Sequence, residues 1–181
     1  MAQILILYSS TDGHTREICG RIQSIIDQHG HETRCISMND AADIKLDGFD
    51  KIVVGASIRY GKHQKQVFDF VAHNEKLLAS RPSAFFSVNV VARKAHKNQP
   101  DTNPYMLKFL KQVAWQPDAL AVFAGKIDYK KYRLLDRQMI RLIMYLTHGP
   151  THPDTEADFT DWEQVEMFGK IICGMQKKPA Q

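Results

Sequence analysis

The sequence begins with a buried-strand pattern that leads directly into a helix. Residues 3–8 form the apolar run Gln-Ile-Leu-Ile-Leu-Tyr, which is long enough for a strand covered on both faces. A polar loop at 9–15 follows, and isoleucines then recur at helical spacing from Ile18 to Ile26. The loop therefore forms a helix N-terminus, where unpaired N–H groups and the helix dipole favour an anion.

The residue types of this loop fit a phosphate but not the common nucleotide-binding motifs. Ser9, Ser10, Thr11 and Thr15 supply hydroxyl donors, and Gly13 lets the backbone approach a ligand closely. The loop contains no lysine and lacks the GxxxxGK(S/T) spacing of a P-loop, and the Gly-x-Gly-x-x-Gly dinucleotide fingerprint is also missing. From the residues alone, a phosphate site and a simply well-capped helix are equal alternatives.

The same stretch resembles the flavodoxin family. Its pattern of aliphatic, aromatic, hydroxyl and small residues is met by Ile6, Leu7, Tyr8, Ser10, Gly13, Thr15 and Cys19, the last standing where the family usually has alanine. The resemblance implies that the loop holds the phosphate of FMN through hydroxyls and amides, without a basic side chain. The implied phosphate-binding residues are Ser10, Thr11, Asp12, Gly13, His14 and Thr15.

The pattern of strand, loop and helix repeats along the chain. Further strands are predicted at 32–37, 51–56, 83–88 and 119–125. One later helix opens at Asn103 or Pro104, and the last opens at 160–163 with capping-box spacing. This alternation predicts an α/β fold, a flavodoxin-like doubly wound five-stranded parallel sheet with helices on both faces. At 181 residues we expect a single FMN-binding domain, 1–181.

Two further loops are expected beside the first. In a doubly wound sheet a ligand binds beyond the carboxyl ends of the strands where the strand order reverses, a rule of which flavodoxin with FMN is a standard example. Loops 57–61 and 87–92 end the next two buried strands and reach that edge. The resemblance implies flavin contacts from Ser57, Ile58, Arg59, Tyr60, Ser87, Val88, Asn89 and Val90. Other roles stay open for three of these residues. Tyr60 is alternatively an ordinary surface residue, and Asn89 alternatively stabilises a turn. Arg59 is alternatively solvated or bound to a substrate carboxylate.

About 35 residues, 126–159, separate the last strand from the last helix, which is longer than a simple connection. Residues 129–146 are helical by pattern. At 100° per residue, the stretch Leu134–Leu146 gathers an apolar stripe on one side, composed of Leu135, Met139, Leu142, Ile143 and Leu146. Arg137, Gln138 and Arg141 lie opposite, and only Asp136 intrudes on the apolar arc.

This inserted helix is basic as well as amphipathic. From 125 to 147, six basic residues stand against two acidic ones, a surplus equal to the whole net charge of +4. Its length of roughly 20 Å is short of a bilayer core near 30 Å. Residues 129–146 are suited to bind an anionic membrane surface, or to line an apolar pocket for a substrate with carboxylates. The alternative is a helix that packs its stripe on its own domain.

Cysteine use and hydropathy indicate a reducing compartment and no membrane span. Cys19, Cys35 and Cys173 are odd in number and widely spaced, so we expect neither disulfides nor zinc. The glycine and prolines around His148 and His152 also argue against a helical metal pair, and no metal is expected. No secretion signal precedes the first strand. We therefore expect a cytoplasmic protein associated peripherally with the inner face of the cell membrane.

Taken together, the later segments resemble the menaquinone-dependent protoporphyrinogen IX dehydrogenase family. The resemblance covers nearly the whole chain and rests on residues 56–61, 87–94, 132–133, 136–137, 139–144 and 160–163. It implies an FMN enzyme of haem biosynthesis that takes six electrons from protoporphyrinogen IX, two at a time, and passes them to menaquinone or ubiquinone.

The implied substrate contacts are Arg59, Tyr60, Arg93 and Arg137, and no side chain is marked as an acid or base. Two alternatives remain, an NAD(P)H:quinone reductase and a non-catalytic flavodoxin electron carrier. Such carriers tend to be acidic, so the local positive charge argues against the second. No nucleic-acid partner is expected, and the sequence does not specify an oligomeric state.

Overall fold

The computed structural model describes residues 1–41 and 44–176 and is built on a parallel sheet. The strands are β1 (Gln3–Ser9), β2 (Glu32–Ser37), β3 (Lys51–Arg59), β4 (Lys62–His63), β5 (Ser83–Val88), β6 (Ala119–Phe123), β7 (Lys126–Asp128) and β8 (Glu156–Asp158). Five of them form the parallel sheet in the order β2-β1-β3-β5-β6, while β4 pairs antiparallel with the end of β3. The strand order reverses between β1 and β3, so the predicted fold class is confirmed.

Helices cover both faces of the sheet. In the described part they are α1 (His14–Gln28), α2 (Lys65–His73), α3 (Glu75–Ser80), α4 (Pro104–Gln112), α5 (Leu134–Leu146) and α6 (Trp162–Gly174). The C-terminal end of α5 at Leu146 is the predicted one, and α4 starts at Pro104 with Asn103 as its N-cap. Because residues 177–181 lie outside the described part, the domain bounds 1–181 stay an expectation.

The continuous apolar run of β1 is needed because its side chains enter two separate cores. Ile4 and Ile6 pack with the helices α1 and α6 on one face, whereas Leu5 and Leu7 pack with α2, α3 and α4 on the other. All four side chains are fully buried. A strand with alternating polar residues would leave one of the two helical layers without a surface to pack against.

Several local predictions differ from the structure. The strand predicted at 51–56 continues to Arg59, so part of the predicted loop 57–61 is strand, and the strand predicted at 119–125 ends at Phe123. The last helix is capped by Asp161, whose carboxylate accepts from the backbone N–H groups of Glu163 and Gln164, and not by Thr160, whose hydroxyl donates to the Ala124 carbonyl. Residues 129–133 precede the inserted helix, as a 3₁₀ turn at Tyr129–Lys131 followed by an extended segment. The insertion also contains the antiparallel pair β7 and β8, whose three-residue strands are too short for a visible sequence period.

A histidine is buried in the core beneath α2 and α4. The His63 ring lies edge-on to Phe68, Phe85 and Phe109, and its Nε2 is hydrogen-bonded to Ser87 Oγ at 3.0 Å. Burial lowers the pKa of His63 from 6.5 to about 4, because the charged ring would lose its hydration. The histidine is therefore neutral in the folded protein at neutral pH.

This burial predicts a loss of stability in mild acid. Between pH 6.5 and 4 the unfolded chain binds a proton at position 63 and the folded chain does not, so the free energy of unfolding falls by up to about 3 kcal/mol as the pH drops. His63→Phe keeps an aromatic ring and removes the proton site, and urea unfolding at pH 7 and pH 4.5 should show a smaller pH dependence. His96→Gln, at an exposed position, is the control. Equal pH dependence in both variants would contradict the prediction.

Candidate functional site

The three predicted loops meet in one pocket at the carboxyl edge of the sheet. The pocket is open to solvent at its mouth, and with that open space included its volume is about 980 Å³. Eleven of the predicted cofactor residues line it, namely Ser10, Asp12, His14, Thr15, Ser57, Ile58, Arg59, Tyr60, Val88, Asn89 and Val90. Thr11, Gly13 and Ser87 lie outside this lining.

The start of α1 has the form of an anion site. Gly13 adopts a left-handed backbone conformation with φ of 88° and stands at the N-cap position without a capping side chain. Ser10 Oγ accepts a hydrogen bond from the Gly13 N–H at 3.1 Å, which closes the loop in front of the helix. Thr15 is buried in the first turn and lines the pocket. An uncapped first turn facing a pocket fits a phosphate group.

His14 is fixed in place by three neighbouring residues. Its Nδ1 lies 3.0 Å from Glu17 Oε2, its Nε2 lies 2.6 Å from Thr160 Oγ1, and its ring contacts Trp162 edge-on. Since both ring nitrogens already have partners, the geometry gives His14 no free nitrogen to act as an acid or base in the pocket. Its role here is to tie the loop to the start of α6.

Asn89 stabilises the turn after β5. Its Oδ1 accepts from the Ala92 N–H and from Asn103 Nδ2, both at 3.1 Å, while its Nδ2 donates to Ser87 Oγ at 3.2 Å. Both ends of the amide are thus engaged within the protein. Of the two roles left open from the sequence, this geometry favours the turn.

Arg59 bridges the phosphate-site loop and the inserted helix. Its Nη1 donates to Asp12 Oδ2 at 2.9 Å, and its Nη2 donates to Asp136 Oδ2 at 2.5 Å. The hydroxyl of Tyr60 donates to the other oxygen of Asp136. Tyr60 itself has a φ of 49°, an uncommon conformation for a residue with a side chain, and it directs the loop toward α5. Asp136, which intrudes on the apolar arc in the sequence, is therefore the residue that anchors α5.

Asp12 and Asp136 respond differently to this shared guanidinium. The hydrogen bond from Tyr60 lowers the pKa of Asp136, with Arg59 acting in the same direction and burial opposing them. Burial raises the pKa of Asp12, and Arg59 only partly offsets it. The anchoring carboxylate on α5 is the better stabilised of the two anions.

The inserted helix forms a fourth wall of the pocket, in line with the alternative of an apolar pocket that its sequence left open. Met139, Ile140, Ile143 and Met144 of α5 all line the pocket. Further lining residues outside the predicted set are Gly61, Val91, Tyr105, Gly125, Lys126, Tyr132 and Asp136. The one sequence signal for this wall was the single acid within an otherwise apolar arc.

The structure places the other two predicted substrate contacts, Arg93 and Arg137, outside the pocket lining. Arg93 Nη1 donates to the Val90 carbonyl at 3.1 Å, and its Nη2 donates to the carbonyl and hydroxyl of Thr147 at 2.9 and 2.8 Å. It therefore fastens the end of α5 to the loop after β5. Arg137 Nε is buried and has no hydrogen-bond partner among the described residues.

The apolar stripe of α5 faces outward. The helix buries Met144, while the side chains of Leu134, Leu135, Met139, Leu142, Ile143, Tyr145 and Leu146 are exposed, Leu135 to 85%. The alternative in which this stripe packs on its own domain is therefore wrong. The contact of Asp136, at the edge of the apolar arc, and the contact of Arg93 with Thr147 hold the two ends of the helix to the domain and leave the stripe facing the surroundings.

Three lysines of the basic segment form ion pairs with acidic side chains of the insertion. Lys126 pairs with Glu156 at 2.8 Å, Lys130 lies 3.9 Å from Asp154, and Lys131 lies 3.4 Å from Asp128. Two of these acids belong to the returning segment around β8, beyond the stretch counted in the sequence. In the folded protein the exposed face of α5 is therefore distinguished by its apolar side chains more than by its charge.

The comparisons with known proteins agree with this architecture. A family model described as a flavodoxin domain matches residues 5–154. The chain is 42% identical over 175 residues to the protoporphyrinogen IX dehydrogenase [quinone] of Escherichia coli K12, with 97% of each chain covered. The chain belongs to the flavodoxin domain family and, within it, to the protoporphyrinogen IX dehydrogenases. The predicted family is thereby confirmed.

This dehydrogenase is also similar to a eukaryotic relative and to solved flavodoxins. The Leishmania major protoporphyrinogen IX dehydrogenase [quinone] is 42% identical over 94% of this chain and 74% of its own. Oxidised flavodoxin 1 from Bacillus cereus superposes with a TM-score of 0.54 at 16% identity, over 94% of this chain and 97% of that one. The WrbA-like flavodoxin from Agrobacterium tumefaciens gives 0.53 at 12% identity, with 96% of both chains covered. These two structures support the fold.

Two other features of the dehydrogenase bear on its chemistry. The three cysteines are free thiols. Within residues 1–41 and 44–176, no group of three or more His, Cys, Asp or Glu side chains is arranged to hold a metal ion.

The anchoring of α5 is testable through Asp136. Asp136→Asn keeps the shape of the side chain but removes the charge that pairs with Arg59, so we expect α5 to detach more often from the domain. Hydrogen exchange of the α5 amides should become faster by about fivefold or more. Asp154→Asn, which removes an exposed acid remote from the pocket lining, is the control. Equal α5 exchange in the two variants would show that Asp136 does not hold the helix.

Proposed function

We propose that this protein is an FMN-dependent enzyme that oxidises protoporphyrinogen IX to protoporphyrin IX with a membrane quinone as electron acceptor. The observation that carries the proposal is the 42% identity, over 97% of both chains, to the Escherichia coli K12 protoporphyrinogen IX dehydrogenase [quinone]. The pocket, closed on one side by α5, supports it because a large apolar substrate needs more wall than three short loops provide.

The residues at the pocket fit FMN. The uncapped start of α1, with Ser10 and Thr15, would hold the phosphate, and the ring would lie between the loops after β3 and β5. When bound, the flavin accepts two electrons at a time from the substrate and passes them to the quinone. The overall reaction removes six electrons and six protons from protoporphyrinogen IX and converts three quinones to three quinols.

Arg59 is the residue best placed to bind the substrate. It lines the pocket, it is always charged, and its guanidinium can bind a carboxylate such as a propionate in bidentate geometry. At present it binds Asp12 and Asp136, so a propionate would compete with these two carboxylates. Lys126, also in the lining, offers a second cation beside its partner Glu156.

The exposed stripe of α5 supports peripheral contact with a membrane. Among the described residues, no helix is long and apolar enough to cross a bilayer. A 13-residue helix with an outward apolar face can instead lie in the interface, where its leucines enter the acyl boundary. Such contact would hold the pocket at the cytoplasmic face of the cell membrane. A quinone dissolved in the bilayer could reach it there.

A turnover experiment tests the activity. The FMN-loaded protein with a quinone should form fluorescent protoporphyrin IX from protoporphyrinogen IX well above the spontaneous rate. Arg59→Gln should raise the KM for protoporphyrinogen IX about tenfold or more, because it removes a charge-assisted hydrogen bond of about 1.5–3 kcal/mol to a propionate and also the ion pair that holds Asp136 of α5 at the pocket. Arg16→Gln, at an exposed position in α1, is the control. Brisk NAD(P)H oxidation without porphyrin formation would instead identify a quinone reductase, and loss of both activities would leave an electron carrier.

Vesicle flotation tests the membrane contact. Changing Leu135, Leu142 and Leu146 to serine removes three exposed apolar side chains, and the partition onto phosphatidylglycerol-containing vesicles should fall by more than about tenfold. Met167→Ser combined with Ile171→Ser, exposed apolar positions on α6, should leave flotation as in the unaltered protein. Flotation that is unaffected by the leucine changes would rule out α5 as the contact surface.

A further inference from the structure

The outer apolar surface of α5 is continuous with the inside of the pocket at two side chains. Met139 and Ile143 both line the pocket, and yet 45% and 44% of their surfaces are exposed to the surroundings. They are four residues apart on one helix and therefore adjacent on one face. Together they form an apolar strip that leads from the pocket wall to the outer stripe.

The anchors of α5 keep this strip at the rim of the pocket. Asp136 holds the first turn of the helix to Arg59 and Tyr60, and Arg93 holds Thr147 at its end. Met144, the residue after Ile143, also lines the pocket and is buried. A rotation of α5 that covered Met139 and Ile143 would break these contacts and expose Met144, so the strip stays open.

Charged groups also line the pocket. Asp12, Arg59, Lys126 and, one turn of α5 before Met139, Asp136 are in its lining, and each takes part in an ion pair. A hydrocarbon chain that left the pocket past these groups would displace their water without replacing its hydrogen bonds. Past Met139 and Ile143, in contrast, it would bury apolar surface on both sides. The strip therefore suits a ligand with a ring that enters the pocket and a long apolar tail that remains outside.

We propose that Met139 and Ile143 form the entrance through which the membrane quinone reaches the pocket, with its isoprenoid tail lying against these two side chains. This inference rests on the proposed function, in which a quinone accepts the electrons. The tail follows the strip outward toward the bilayer, while the quinone ring occupies the pocket. The entrance thus distinguishes quinones by their tails and not by their rings.

The test compares two acceptors that share a ring. Protoporphyrinogen IX oxidation is measured in detergent micelles with a tail-less 2-methyl-naphthoquinone and with the same ring carrying an isoprenoid tail. In Met139→Ser combined with Ile143→Ser, the ratio of the KM for the tailed quinone to that for the tail-less one should rise about fivefold or more. The matched control is Met167→Ser with Ile171→Ser, which has the same residue types at the same spacing, exposed on α6. There the ratio should stay within about twofold of its original value.

A binding measurement tests the same contact without turnover. Bound tailed quinone should protect Met139 from peroxide oxidation to the sulfoxide, read by mass spectrometry, whereas the tail-less quinone should protect it much less. Met167, exposed on α6, serves as the internal control in the same sample and should be protected by neither.

The outcomes separate the inference from the proposed function. An unchanged KM ratio, or equal protection of Met139 by the two quinones, would overturn the entrance while leaving the activity intact. A change of oligomeric state in the Met139 and Ile143 variant, seen by light scattering, would assign the strip to a second copy of the chain and likewise overturn it. Absence of porphyrin formation with either quinone in the unaltered FMN-loaded protein would overturn the proposed function itself.

Discussion

The ion pair between Arg59 and Asp136 is the contact on which the site depends. It joins the end of β3, a central strand of the sheet, to the first turn of a helix that belongs to an insertion. The two side chains are largely buried, with 19% and 14% of their surfaces exposed, so breaking the pair would leave an uncompensated charge in a poorly hydrated place. This contact turns an inserted segment into a pocket wall and determines which side of the helix faces outward.

The sheet supplies the rest of the geometry by simple means. Parallel strands end at one edge, and the reversal of order between β1 and β3 leaves room there for a ligand. Each of the three loops therefore reaches the pocket with only a few residues. In this chain α5 lies over that edge, lines the pocket and presents an apolar surface beside it.

The sequence predicted the features that depend on local periodicity. The strands of the parallel sheet, the C-terminal end of α5 and the loop before α1 follow from apolar runs, from 100° spacing and from the position of Gly13. The direction of α5 did not follow, because Asp136 and Arg93 find their partners through tertiary contacts that have no sequence period. The charge surplus was overestimated for the same reason, since Glu156 and Asp154 return to the lysines only in the folded chain. Arg93 and Arg137 were assigned by residue type, and the structure uses Arg93 for a backbone contact instead.

Arg93 links two parts of the molecule whose relative position matters for the proposed reaction. One planar guanidinium binds the carbonyl of Val90, beside the expected flavin ring, and also the carbonyl of Thr147, at the end of the helix expected at the lipid surface. One side chain thus joins the loop to the end of the helix. With the quinone ring in the pocket, as proposed, the distance between flavin and quinone would be set by the protein and not by how the molecule settles on the bilayer.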